Sequence, residues 1–154
     1  MKKFLIILLT VAMTGCVAVS NKGVTQLQQF KEDSKTVAIL EDEPTRNGVL
    51  GVITKWFSDN GFNSSVIQSA SEVKPDDYVF SYRAHFGWDL AIYMRTAALK
   101  VKSKGKTLGA LNFDALQYGG FGKFGDTEKR LRILLDVLFG KITREEADKL
   151  LGEA

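Results

Sequence analysis

YVFSYRAHF, residues 78–86, decides the fold. Tyr78, Phe80, Tyr82, Ala84 and Phe86 alternate with Val79, Ser81, Arg83 and His85. Successive side chains of a strand point to opposite faces, so this spacing is that of a strand buried on one side only. Downstream, residues 90–102 and 106–116 read as two more strands around Ser103-Lys104-Gly105, a hairpin turn. Three successive strands joined in this way make an antiparallel meander. Upstream, TVAILE (residues 36–41) is a β-branched and aliphatic run and reads as the first strand. Residues 62–68 supply the second, and Pro75-Asp76-Asp77 is a turn before the meander.

Helices fill the remaining segments. Glu41-Asp42-Glu43-Pro44-Thr45 places acidic residues and a proline where a helix start favours them. The helix is expected over residues 46–60, with Val49, Leu50, Ile53, Trp56 and Phe57 on one face and Gly61 as its stop. Residues 126–139 are amphipathic through Leu131, Leu134, Leu135 and Leu138, and Gly140 ends them. Thr143-Arg144-Glu145-Glu146 is a capping box, opening a last helix that docks Ala147, Leu150 and Leu151. The expected order is β-α-β-β-β-β-α-α. About five strands in a mainly antiparallel sheet, with helices packed on one face, make an α+β domain.

The chain has 154 residues, 45% hydrophobic and 25% charged, enough for one domain with its own core. Its net charge of +3 includes Lys2 and Lys3. Without these two, 19 basic residues face 18 acidic ones, so no basic field for nucleic acid is implied. Cys16 is the single cysteine, so no internal disulfide can staple the fold.

The opening MKKFLIILLTVAMTGC carries two lysines and then a run that is apolar apart from Thr10. As a helix the run from residue 4 to 13 covers about 15 Å, half a hydrocarbon core, which fits a secretory h-region rather than a membrane span. Met13-Thr14-Gly15-Cys16 resembles a bacterial lipobox. The resemblance implies a signal peptide over residues 1–15, cleavage before Cys16, a diacylglyceryl thioether on Cys16 and acylation, such as palmitate, of the new amine. Three acyl chains at about 0.8 kcal/mol per buried CH₂ make an effectively permanent anchor. Val17 and Ala18 follow, with no Asp after the cysteine, and by the same resemblance this implies the outer membrane, facing the periplasm. Residues 16–35 then read as the lipidated end and a tether, with a weak helical turn around Leu27 and Phe30. As a flexible coil the tether spans about 25 Å. The folded domain is expected over residues 36–154.

Several patterns invite a chemical reading. Gly120-x-Gly122-x-x-Gly125 has the spacing of a dinucleotide fingerprint. Its context is wrong, because the helix after it leads to another helix and not to a parallel strand. A Gly-aromatic connection is expected, in which Phe121 and Phe124 cover a sheet edge or, if exposed together, form a partner-binding tip. Ser81, Arg83 and His85 share a strand face, but same-face neighbours lie about 7 Å apart, too far for a nucleophile–base pair. A solvated polar face is expected there. Glu41, Asp42 and Glu43 lack the spacing of a calcium loop and are explained as helix-start charges. Trp88, Tyr93 and Phe86 form the densest aromatic group, for which core packing is the first reading and a surface groove the second.

The pieces TVAILED, Lys55-Trp56-Phe57, YVFSYRAHFGWDL and KSKGKTLGAL look like the small domains of Gram-negative outer-membrane lipoproteins, including the amino-terminal-like fold of TolB and CsgG. That resemblance implies an envelope assembly or regulatory factor. The expectation is a non-enzymatic, lipid-anchored lipoprotein of the cell envelope that binds another envelope protein, with Phe121, Phe124, Trp88 and Tyr93 as contact residues and with no cofactor, metal or nucleic acid. The alternative is a receptor for a small apolar or glycan ligand that uses the aromatic cluster near Trp88.

Overall fold

The computed structural model describes residues 23–31, 35–45, 48–74 and 76–154. Cys16 and the lipobox lie outside the described residues, as do Arg46 and Pro75. The strands are β1 (Val24–Gln28), β2 (Thr36–Leu40), β3 (Asn63–Ile67), β4 (Val79–Asp89), β5 (Ala91–Ser103) and β6 (Lys106–Asp114). The helices are α1 (Val49–Asp59), α2 (Thr127–Leu138) and α3 (Arg144–Gly152), and two 3₁₀ turns, Ala115–Tyr118 and Gly120–Phe124, join β6 to α2. The six strands form one sheet in the order β1-β6-β5-β4-β2-β3. β2 runs parallel to both its neighbours, and the other pairs are antiparallel.

The alternation in residues 78–86 is realised in β4. Phe80, Tyr82 and Ala84 are buried, and Arg83 and His85 face solvent. The buried side chains meet Val37 and Ile39 of β2, Leu99 and Val101 of β5, and Leu111 and Phe113 of β6 in one core with the helices. At its centre Phe57 packs edge-on against Phe80 at 5.2 Å and Phe139 at 5.4 Å, and Trp56 lies 5.1 Å from Phe139. Full burial of one such side chain stabilises by about 2–3 kcal/mol. The Trp56 indole donates to Asp136 Oδ1 at 2.9 Å, so the polar edge of the largest core residue is satisfied where α1 meets α2. The β5–β6 hairpin turns through Lys104 (φ 49°) and Gly105 (φ 72°), two left-handed residues in succession, as a two-residue hairpin requires.

Three expectations are corrected. The sheet has six strands, not about five, and the order is β-β-α-β-β-β-β-α-α. The additional strand is β1, inside the segment read as tether, where a helical turn was expected. A register shift between Thr25 and Gln28 breaks the period of two, so Val24 and Phe30 reach the core without sequence alternation to announce them. The third correction concerns Glu41, Asp42 and Glu43, which are not helix-start charges. α1 begins after Gly48, in the left-handed region at φ 100°, with no acidic residue in its first turn. The acidic segment instead folds against β4. β2 stops pairing β4 at Ser81, and the Thr45 hydroxyl takes over by accepting from the Ala84 amide at 3.0 Å while donating to Asp42 Oδ2 at 2.6 Å.

The last two helices start as expected. Asp126 caps α2 by accepting from the Lys129 amide at 2.7 Å. Thr143 and Glu146 form the reciprocal capping box of α3 at 3.2 and 2.8 Å. Ala147 and Leu151 of α3 are buried, and Leu150 remains exposed.

Candidate functional site

The β4–β5 hairpin outruns the sheet. β6 pairs with β5 only from Thr96 onward, and a register shift follows His85 on β4. Beyond that row stand the pairs Phe86–Met94, Gly87–Tyr93, Trp88–Ile92 and Asp89–Ala91, with Leu90 at the apex in the left-handed conformation, φ 63°. Trp88 and Ile92 lie opposite each other and are 76% and 56% exposed, and Leu90 is 81% exposed. The first reading of Trp88, core packing, is therefore corrected: the core residue of this group is Tyr93. Its ring lies across Gly87, where an added Cβ would come within 3.1 Å of the ring carbon Cζ. An unbranched backbone at Gly87 is what lets the tyrosine fold down.

The Gly120–Phe124 turn completes the tip. Phe124 packs edge-on against Tyr93 at 5.3 Å, and Phe121 follows at 6.5 Å from Phe124 while remaining 85% exposed. Lys123 binds Asp89 of the hairpin in an ion pair and lies 5.0 Å from the Phe124 ring. The hydrogen bond to Asp89 raises the Lys123 pKa above the ordinary lysine value, which strengthens the hold of its ammonium on the proton. Phe121, Phe124, Trp88 and Tyr93, far apart in sequence, are thus brought to one end of the molecule. Leu90 and Ile92 join them, two apolar residues that the sequence reading took as ordinary strand positions.

The same turn answers the glycine fingerprint. Arg130 of α2 is fully buried and donates from Nη1 to the Lys123 carbonyl at 2.8 Å and from Nη2 to the Gly122 carbonyl. Its guanidinium lies 5.7 Å from the Phe113 ring and 5.9 Å from the Tyr118 ring, and burial pushes its pKa below the ordinary arginine value. Carbonyl oxygens, not amides, are therefore gathered inward by the glycine turn, the opposite polarity to a phosphate cradle. Gly125 is required by packing, since a Cβ there would run into the Ala154 carbonyl and the Arg130 side chain.

On the open face of the sheet, Arg83 holds Asp42 with Nη2 at 2.7 Å and Nε at 3.1 Å from Oδ1. Burial pushes the Asp42 carboxyl up, but Arg83 and Thr45 together outweigh it and hold the group below the usual carboxylate range. His85 is exposed two residues further along β4. This is the polar strand face expected from the sequence. Among the described residues, no group of three or more His, Cys, Asp and Glu is placed to hold a metal ion. No helix among them is long and apolar enough to cross a membrane.

No family model matches the chain, and no curated protein matches it. Among solved structures it is similar to a minor lipoprotein from Acinetobacter baumannii, at 18% identity over 75% of this chain and 92% of that one, with a TM-score of 0.32. An overlap this loose carries neither fold nor function from one chain to the other.

Proposed function

We propose that this protein is a lipid-anchored lipoprotein of the cell envelope, held through Cys16 in the outer membrane and facing the periplasm. It acts by binding another envelope protein and performs no chemistry of its own. The domain is one of the small α/β modules that resemble the amino-terminal-like fold of TolB and CsgG. The observation that supports binding is the tip: four large apolar side chains, Trp88, Leu90, Ile92 and Phe121, stand in solvent at one end of a domain whose other described aromatics are all buried or half-buried. Such a concentration marks a surface that is covered in use. Tyr93 and Phe124 pack against each other on one face of the hairpin, Trp88 and Ile92 project from the other, and the Asp89–Lys123 pair ties the hairpin to the turn that carries Phe121. The alternative, a receptor for a glycan or small apolar ligand, draws on the exposed indole of Trp88, which offers a flat face for stacking.

The experiment is cross-linking in cells with a photoreactive residue at Trp88 or Phe121, combined with mass analysis of the mature amino terminus. A lipidated Cys16 and a discrete protein adduct at both positions are expected. An unmodified cysteine would sink the anchor. Saturable protection of the Trp88 fluorescence by a soluble sugar or small apolar compound, without a protein adduct, would favour the alternative.

A further inference from the structure

The strand registers fix which end of the sheet the anchor leaves from. β1 is antiparallel to β6, with Val24 opposite Phe113, and Phe113 is opposite Ala97 of β5. From that row β6 continues into the turns that carry Phe121, and β5 runs back to Ala91 at the hairpin apex. The backbone therefore meets Gly23, the first described residue, on this same side. Gly23 confirms the direction: its carbonyl accepts from the Asp114 amide at 2.9 Å, and its α-carbon is covered by the Tyr118 ring. The chain end that leads to Cys16 and the apolar tip therefore leave the sheet at one and the same end.

Chain length then sets the reach. Seven peptide steps separate Cys16 from Gly23, which allow about 25 Å fully extended and about 15 Å as a flexible coil. The hairpin projects about 20 Å past the Val24 row, at about 3.3 Å per residue. The tip thus works at the surface of the membrane that holds the lipid. It cannot reach across the periplasm.

At that surface the choice lies between lipid and protein. Asp89 sits between Trp88 and Leu90, and its side chain is 54% exposed. Sinking those two apolar residues below the headgroups would draw the Asp89–Lys123 ion pair out of water with nothing there to hydrogen-bond it. A protein groove can hydrogen-bond the Asp89–Lys123 pair while burying the exposed Trp88, Leu90 and Ile92 of the same hairpin end. We infer that the partner of the tip is an integral protein of the anchoring membrane, contacted at its membrane-proximal, periplasm-facing rim.

This inference rests on the lipid-anchor reading, and the test separates the two. The full chain is expressed in its native envelope with a photoreactive residue at Trp88, at Phe121 or, as a control, at Lys104 in the turn at the opposite end of the sheet. Adducts at Trp88 and Phe121 should contain the same integral membrane protein, with none from Lys104. They should fall at least tenfold in Leu90→Asp, a surface change at a left-handed position that Asp tolerates and that is expected not to lower the thermal midpoint. Adducts to phospholipid alone, to a soluble periplasmic protein or to a second copy of this chain overturn the inference, as does the absence of any adduct. The mass of the amino terminus in the same sample reports the anchor independently. Missing lipid sinks the anchor reading, whereas present lipid with the wrong adduct sinks only the identity of the partner.

Discussion

Arg130 Nη1 donates to the Lys123 carbonyl at 2.8 Å, so a buried cation in α2 holds the turn that carries Phe121. Its second hydrogen bond, to the Gly122 carbonyl, fixes the other side of the same turn. Arg130→Met keeps most of the volume and removes both donors. Two inward carbonyls left without donors at about 1–3 kcal/mol each predict a loss of about 2–6 kcal/mol in urea unfolding, together with a drop in tip cross-linking. Unchanged stability would mean that the turn is held by something else.

Phe30 tests whether the amino-terminal segment belongs to the domain. It is buried between Tyr78 at 5.6 Å and Phe139 at 5.3 Å, and its amide donates to the Leu138 carbonyl at 2.8 Å. Phe30→Ala should cost about 3–5 kcal/mol, measured as a lowered urea midpoint. A tether residue would move it by less than about 0.5 kcal/mol.

The two tryptophans report opposite environments. Trp56 is buried and hydrogen-bonded to Asp136, and Trp88 is exposed. In Trp56→Phe the remaining emission should be red-shifted and readily quenched by iodide. In Trp88→Phe it should be blue-shifted and protected, with stability within about 0.5 kcal/mol of the parent. Trp56→Phe should itself lose about 2 kcal/mol from the missing ring and hydrogen bond.

Acid sensitivity divides between two aspartates of opposite sign. Asp42 is held below the ordinary value of about 3.9, so its contribution is present above that pH and is lost as pH falls through the lower, folded value. Asp148 is pushed up, first by burial, more than the Tyr118 hydroxyl and Arg144 pull it down. Its folded form holds the proton more tightly, so its contribution is present in acid and is lost as pH rises through the raised value. Urea midpoints from pH 3 to 7 should show a shallower acid loss for Asp42→Asn. For Asp148→Asn they should show a gain relative to the parent at neutral pH. Parallel curves for parent and variants would refute both assignments.

Much of this fold was legible because burial on one side leaves a periodic trace. Tyr78 to Phe86, the Leu-rich face of α2 and the Thr143–Glu146 capping box all combine a local pattern with a local cause. β1 was not legible, because an irregular edge strand with polar residues and a register shift has no period to detect. The acidic run before α1 misled for a related reason. Its partner, Arg83, is 41 residues away, and a helix-start pattern cannot be told from a cross-strand ion pair by composition. The tip was half legible. Phe121 and Phe124 stood out as aromatics among glycines, whereas Leu90 and Ile92 continue the alternation of a strand, and only the place where β6 stops pairing reveals that they have no sheet beside them.

Leu90 joins two features that folding alone disfavours, an apolar side chain in water and a backbone in the left-handed region, which costs a residue with a Cβ about 1–2 kcal/mol. Glycine at this apex should fold at least as stably. Optimising the protein for thermal resistance would therefore erase its hairpin apex early, yielding a hardier molecule with a blunted end.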